Sequence, residues 1–223
     1  NFLQPSLPGV FEANALSAVN GALWTLKIEV MFYLTVPLFV LLFRRFSRLP
    51  VLLLIYSLSV AYAALLTEIA RRTGTAIYLE LARQLPGQLS YFMAGAFFYY
   101  FLPLFERRTA SFVTVAALIL VADTIYPLPF LEPMALATMV VLFALFFYVG
   151  NFARYGDFSY GVYIIHFPVI QLLVQAGYCR DNPELFLATV ILLTISGAVA
   201  MWHLVEKRFL FRSSHYLAGA PSS

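Results

Sequence analysis

The stretch NGALWTLKIEVMFYLTVPLF, residues 20–39, contains a lysine and a glutamate inside an otherwise apolar run. A charged side chain near the middle of a bilayer costs about 2.5 to more than 10 kcal/mol, so each charge needs its own stabilisation. Lys27 and Glu29 lie roughly 200° apart around a helix and cannot pair. Lys27 can extend its stem to the outer headgroups. Glu29 either faces a polar cavity, where it would be functional, or is protonated and hydrogen-bonded within a helix bundle.

A second stretch, RYGDFSYGVYIIHFPVIQLL, places polar groups at helical spacing. Ser159, Tyr163 and His166 follow the i, i+4, i+7 pattern, so one face carries a hydroxyl, a phenol and an imidazole. His166 is either a core histidine with satisfied hydrogen bonds or part of an active cavity. Pro168 is expected to kink this helix or open its backbone, which commonly accompanies a cavity.

Composition indicates that an integral membrane protein positions these residues. The chain has 223 residues, of which 62% are hydrophobic and 11% charged, and its mean hydropathy is +0.84. A soluble domain carries about 25% charged residues. The 14 Lys and Arg residues are scattered between apolar runs, which argues against a nucleic-acid surface. Cys179 is a single cysteine, and no metal-ligand spacing is present, so neither a disulfide nor a metal site is predicted.

Seven apolar runs are long enough to form membrane helices, each needing roughly 20 residues. They lie near residues 24–43, 50–67, 86–105, 110–126, 133–152, 159–178 and 185–205. Their continuous apolar character predicts an all-α bundle, since membrane strands alternate. The fourth run is the weakest, because Asp123 interrupts it and Pro127 and Pro129 follow.

Small residues predict where two of these helices approach their neighbours closely. The third run has Ser90 and Ala94 at a spacing of four, and the seventh has Ser196 and Ala200. At the end of the seventh run, His203 and Glu206 are expected to lie on a solvated helix end.

Basic residues are unequally divided between alternate connections. One set contains nine: Arg44, Arg45, Arg48, Arg107, Arg108, Arg154, Lys207, Arg208 and Arg212. The other contains four: Arg71, Arg72, Arg83 and Arg180. The positive-inside rule predicts that the first set is cytoplasmic. Residues 1–22 are then an external loop and residues 206–223 a cytoplasmic tail.

Three segments together resemble the membrane-bound acyltransferase 3 family. Its pattern N-x-x-x-W-[ST]-L-x-x-E, followed by F-Y and a proline, is matched by Asn20, Trp24, Thr25, Leu26, Glu29, Phe32, Tyr33 and Pro37. Its later pattern S-Y-x-x-Y-[LI]-x-H-x-P is matched by Ser159, Tyr160, Tyr163, Ile164, His166 and Pro168. The segment VEKRF is similar to the family's closing V-E-[KR].

The resemblance implies a single acyltransferase domain over residues 1–223, forming the C-terminal two-thirds of a protein with about ten spans. Such proteins transfer an acyl group, usually acetyl, from cytoplasmic acetyl-CoA to envelope or exopolysaccharide sugars at the bacterial inner membrane. The family's catalytic histidine and its R-x-x-R motif lie in earlier spans, which by this resemblance would precede this sequence. We therefore expect the visible chain alone to be catalytically incomplete.

The resemblance also implies roles for individual residues. Two are expected to be catalytic, Glu29 and His166. Five are expected to contact substrate: Asn20, Trp24, Tyr33, Ser159 and Tyr163. The donor acts as a substrate, so no tightly bound cofactor is expected, and the expected partners are membrane lipids, a glycan acceptor and acyl-CoA.

Two other functions fit the same pattern. A membrane carrier of glycan or lipid intermediates would also contain intramembrane polar residues and proline kinks. A non-catalytic scaffold for envelope synthesis is the third possibility. An upstream span with a basic residue and a histidine eleven positions later favours the transferase, whereas an upstream repeat of the visible spans favours the carrier.

Overall fold

A computed structural model describes residues 6–147 and 156–209, and no strand occurs within these two ranges. The helices are α1 (Trp24–Arg45), α2 (Arg48–Thr73), α3 (Ile77–Ala82), α4 (Leu85–Arg107), α5 (Thr109–Ile125), α6 (Glu132–Phe146), α7 (Ser159–Gln175) and α8 (Pro183–Met201). A 3₁₀ turn, Gly21–Leu23, precedes α1, and a π-helical turn, Trp202–Glu206, follows α8.

Each predicted span contains a helix, and the all-α membrane fold is confirmed. Within the described ranges, three segments are long and apolar enough to cross a bilayer: Gly21–Arg45, Arg48–Thr73 and Pro183–Phe209. The segments Ile77–Arg107 and Thr109–Ile125 meet at 114° and form a broken span or a re-entrant loop. The number of crossings, seven, stays a prediction. The end of the fifth predicted span, from 148, and the tail from 210 lie outside the described residues.

The chain divides into two compact units. One is drawn from Asn1–Lys27 and Asn151–Ser223, and the other from Ile28–Gly150. We call them the loop unit and the helix unit. Helix α1 begins in the loop unit and continues into the helix unit.

In the loop unit, α7 packs against α8 and the 3₁₀ turn. The helices approach so closely at Gly161 that an added Cβ would lie 2.9 Å from Ala198 Cα. The buried face of α8 contains Val190, Thr194 and Ala198.

The predicted α8 contact face is therefore wrong, because Ser196 and Ala200 are exposed. Residues two apart on a helix point roughly 200° away from each other. The small residues that we chose thus lie opposite Ala198, on the far side of α8.

In the helix unit, α2 packs against α4, which also contacts α6. Ser90 and Ala94 are buried, so the predicted small-residue face of α4 is confirmed. The backbone N–H of Ser90 donates to Ser59 Oγ of α2 at 2.9 Å. The apolar core beside this contact includes Leu52 and Met93.

Asp123 does not interrupt α5. It lies in the last turn of the helix, and its Oδ1 accepts a hydrogen bond from the Leu128 N–H at 2.5 Å. The carboxylate therefore satisfies a backbone donor in the turn that carries Pro127 and Pro129, where proline nitrogens have no hydrogen to donate.

Candidate active site: an irregular loop bonded to helix α7

Pro168 leaves one backbone carbonyl of α7 without its helical partner. In an α-helix the carbonyl of residue 164 accepts the N–H of residue 168, and proline has none. The Asn20 side chain fills the position: its Nδ2 donates to the Ile164 carbonyl at 2.8 Å. Its Oδ1 accepts the Ala22 N–H at 3.0 Å, which caps the 3₁₀ turn. Asn20 is buried, so both ends of its amide are used inside the protein.

Gln171 makes the second set of bonds between the loop and α7. Its Nε2 donates to the carbonyls of Leu16 and Ala18 at 2.6 and 2.7 Å. Asn14 Nδ2 lies 3.0 Å from both the carbonyl and the Oε1 of Gln171. The buried glutamine thus satisfies backbone groups of a non-helical segment that cannot satisfy one another.

Tyr163 makes the third connection. Its hydroxyl donates to the Ala22 carbonyl and forms a hydrogen bond with Thr25 Oγ1. We call Asn14, Asn20, Thr25, Tyr163 and Gln171 the loop–α7 cluster. The sequence analysis missed Asn14 and Gln171. Gln171 could have been found as a polar amide side chain within the apolar run that follows Pro168.

Gly21 lies close to α7 at this contact. The Gly21 backbone lies against the Phe167 ring, and an added Cβ would be 2.6 Å from two ring carbons. A larger residue at position 21 therefore requires either the Phe167 ring or the 3₁₀ turn to shift.

His166 is half-buried on α7, and its Nδ1 is 3.1 Å from the Val162 carbonyl oxygen. A carbonyl only accepts, so in the neutral ring Nδ1 carries the hydrogen and Nε2 keeps the lone pair. The imidazole is 6.2 Å from the Tyr163 ring, centroid to centroid. The side chain can therefore accept a proton at Nε2. No three His, Cys, Asp or Glu side chains of the described ranges could together hold a metal ion.

Glu29 lies on α1 within the helix unit and is exposed in the described chain. The Tyr33 hydroxyl, one turn later, donates to Glu29 Oε1 at 2.5 Å. The Glu29 carboxyl is therefore hydrogen-bonded. This bond is compatible with a carboxyl in a polar cavity and with a protonated carboxyl inside the bundle. Whether the carboxyl faces a polar cavity stays a prediction.

Trp24 and Ser159 occupy the first positions of their helices. Trp24 is half-buried at the start of α1. Ser159 begins α7, where its hydroxyl donates to Asp157 Oδ1 at 2.6 Å and its N–H donates to the same oxygen at 3.1 Å. These two hydrogen bonds lower the pKa of Asp157 below its ordinary value. The Ser159 hydroxyl is thus bonded at the helix end and not to Tyr163.

The VEKRF segment begins within the π-helical turn after α8. Gly156 has φ +128°, and an added Cβ there would lie 2.3 Å from Trp202 Nε1. His203 is exposed, as expected, but Glu206 Oε1 is buried and has no hydrogen-bond partner among the described residues. The expectation of a fully solvated helix end is therefore wrong for Glu206.

Comparison with known proteins identifies the family. The acyltransferase 3 profile, described as an acyltransferase domain, matches residues 2–204. The chain belongs to the acyltransferase 3 family. It is similar to the O-acetyl transferase of Shigella phage Sf6, with 28% identity over 211 residues, which cover 91% of this chain and 60% of that protein. The chain thus spans about three-fifths of this relative's length. No solved structure matches it.

The loop–α7 cluster contains residues from two of the family's sequence patterns. The structure brings Asn20 and Thr25 of the first family pattern together with Tyr163 and the Pro168 turn of the second. Glu29 and Tyr33 of the first pattern belong to the helix unit, where they bond to each other.

Proposed function

We propose that the complete protein is a membrane-bound O-acyltransferase that moves an acetyl group from a cytoplasmic acyl-CoA donor to a sugar hydroxyl. The acceptor belongs to an envelope glycan or exopolysaccharide of a bacterium. Family membership and the likeness to an O-acetyl transferase support this proposal. The observation that carries it is the loop–α7 cluster, which joins two family patterns beside a histidine with a proton-accepting nitrogen.

Acyl transfer needs a base for the acceptor hydroxyl and donors for the oxyanion. By family resemblance, the base is a histidine upstream of this chain. We propose that Glu29 orients that base or the acceptor hydroxyl, with its own position fixed by the Tyr33 hydrogen bond. His166 lines the transfer cavity, where Nε2 accepts or relays a proton. An ionised carboxyl facing lipid would be costly, which supports a wet or protein-covered environment for Glu29.

The geometry divides the proposed substrate contacts into two groups. Trp24, Tyr33 and Tyr163 are proposed to contact the sugar or the acyl group through their ring faces, because the hydroxyls of both tyrosines already bond to neighbouring protein groups. The indole is suited to stacking on a sugar ring. Asn20 and Ser159 have no ring face, and their polar groups also bond to neighbouring protein groups. We propose that these two position the substrate contacts instead of touching substrate.

The proposed topology separates donor from acceptor. Residues 1–22 lie outside, the C-terminus lies in the cytoplasm, and the protein spans the bacterial inner membrane. The uneven distribution of basic residues supports this orientation. Acyl-CoA then approaches from the side of the Gly156–Ser159 segment.

Mass spectrometry of envelope glycans tests the proposed function. Strains with and without the complete gene are compared, and a strain with the gene restored serves as control. We expect loss of an acetyl mass from one glycan and its return on restoration. A deletion strain that keeps every acyl substituent would contradict the proposal, and accumulation of an acylated intermediate in its membrane would favour the carrier.

A further inference from the structure

A cavity of about 580 Å³ lies within the helix unit, at the end where α2 finishes and α4 and α6 begin. Its wall comes from the second half of α2, the corner between α3 and α4, the start of α4 and the segment before α6. Ligand pockets measure about 300 to 1,000 Å³, so this cavity has room for one or two sugar units.

Polar side chains from each wall line the cavity. The Tyr91 hydroxyl donates to Glu132 Oε1 at 3.2 Å. Arg83 and Gln88 also line it, and neither side chain has a hydrogen-bond partner in the part of the chain that the structure describes. The guanidinium and the amide therefore remain available to a ligand.

The charges of the lining favour a neutral ligand. Glu68 is ion-paired with Arg71 and Arg72, at 2.8 and 2.6 Å, and neither arginine lines the cavity. Arg83 and Glu132 remain, one charge of each sign. A polyanion such as a phosphate would meet the Glu132 carboxylate, whereas an uncharged ligand would not be repelled.

The lining also supplies both the donors and the acceptors that a sugar hydroxyl needs. A hydroxyl donates once and accepts through two lone pairs. Arg83 and Gln88 offer donors, while Glu132 and the Gln88 amide oxygen offer acceptors. Between them lie apolar surfaces of Val60 and Pro129 for the C–H faces of a sugar ring.

We propose that this cavity is a binding site for a neutral saccharide unit of the acyl acceptor. The proposal rests on the proposed function and adds a site to it. It also agrees with the proposed orientation, because the end of α2 and the start of α4 carry the external set of arginines. The site holds the glycan chain while another hydroxyl of that chain is acylated.

Steady-state kinetics in membrane vesicles containing the complete protein test the site. The probe is envelope glycan that has been de-O-acetylated with alkali, and the variants are Gln88→Ala and Glu132→Gln, the latter keeping an oxygen for Tyr91. Each should raise the acceptor KM roughly tenfold by removing hydrogen bonds, with kcat and the acyl-CoA KM within about twofold. Glu80→Gln, on an exposed position of α3 outside the lining, is the matched control. An unchanged acceptor KM in both variants would overturn the site, whereas an inactive wild type would count against the proposed function.

A labelling experiment tests binding without turnover. Gln88→Cys is introduced into the complete protein in a background from which Cys179 and any other cysteine have been removed. The variant is labelled with a maleimide, with and without the de-O-acetylated glycan. We expect the glycan to slow labelling at least threefold at position 88 and to leave a Glu80→Cys control unaffected. Equal labelling of Gln88→Cys under both conditions would overturn the site, even where acyl transfer itself is normal.

Discussion

The loop unit and the helix unit are stabilised by different kinds of contact. In the loop unit, Asn20, Tyr163 and Gln171 each bond through a side chain to backbone carbonyls distant in sequence. In the helix unit, the core is filled by apolar residues such as Leu52 and Met93, and the buried bond between Ser59 and Ser90 joins two regular helices.

The difference follows from the backbone of each unit. Regular helices satisfy their own N–H and C=O groups, so helix packing depends on the fit of small and apolar side chains. The loop before α1 and the proline in α7 leave backbone groups unpaired, and buried polar groups of this kind are costly. The buried amides of Asn20 and Gln171 therefore bond to backbone carbonyls that no helix or strand pairs. Asn20 and Pro168 act together, because Pro168 leaves the Ile164 carbonyl without its helical donor and the Asn20 side chain donates to that carbonyl.

The largest expected effect is a steric one in the helix unit. In Gly87→Ala, the new Cβ would lie 1.8 Å from the Ala82 carbonyl oxygen, so the α3–α4 corner must move. We expect a loss of about 3 kcal/mol or more in unfolding free energy, seen as a lower thermal unfolding midpoint in detergent. Gly95→Ala, in the same helix with nothing within 4 Å, is the control and should change stability by no more than about 1 kcal/mol. Equal midpoints for the two variants would contradict the close packing of Gly87 against Ala82 at the α3–α4 corner.

A double-mutant cycle tests the polar stabilisation of the loop unit. Asn20→Ala leaves the Ile164 carbonyl unpaired and should cost about 1–3 kcal/mol. Pro168→Ala restores the backbone N–H that this carbonyl lacks. The double variant should therefore be more stable than the sum of the single effects by about 1–2 kcal/mol, measured from unfolding midpoints. Additive effects would show that Asn20 does not compensate for Pro168.

A smaller effect is expected at Tyr163. Tyr163→Phe removes the bonds to Ala22 and Thr25 and should cost about 1 kcal/mol. Tyr160→Phe, at an exposed position of the same helix, should be nearly neutral. If unfolding midpoints fall equally in both variants, the hydroxyl of Tyr163 has no special role in stability.

The sequence predicted the helices well because apolar runs of membrane length have few alternatives to helix. It did not predict the role of Asn20, because the carbonyl that it bonds becomes available only through Pro168, far along the chain. It missed Gln171 because backbone carbonyls are its partners, and these leave no side-chain pattern. Ser196 was wrongly assigned because spacing finds a small-residue face without showing which way the helix is turned.

The smallest effect is expected at the beginning of α7 and depends on pH. Two hydrogen bonds from Ser159 depress the pKa of Asp157 from its ordinary value of 3.8. The carboxylate therefore contributes stability above about pH 4, and this contribution is lost as the pH falls through the depressed pKa. At pH 7, Asp157→Ala should lower stability by about 0.5–1 kcal/mol, the lower range for a helix cap. The difference from wild type should shrink in unfolding measurements below pH 3, and a gap that stays constant with pH would contradict this role.

The central claim is that the family's intramembrane carboxyl takes part in acyl transfer, and Glu29→Gln in the complete protein tests it most directly. The substitution keeps a partner for the Tyr33 hydroxyl and removes the carboxyl group. Acylated glycan is measured by mass spectrometry together with protein abundance in the membrane, and Glu184→Gln at the exposed start of α8 is the control. We predict at least a tenfold loss of acylation at unchanged abundance for Glu29→Gln alone. Normal acylation at normal abundance would contradict the account.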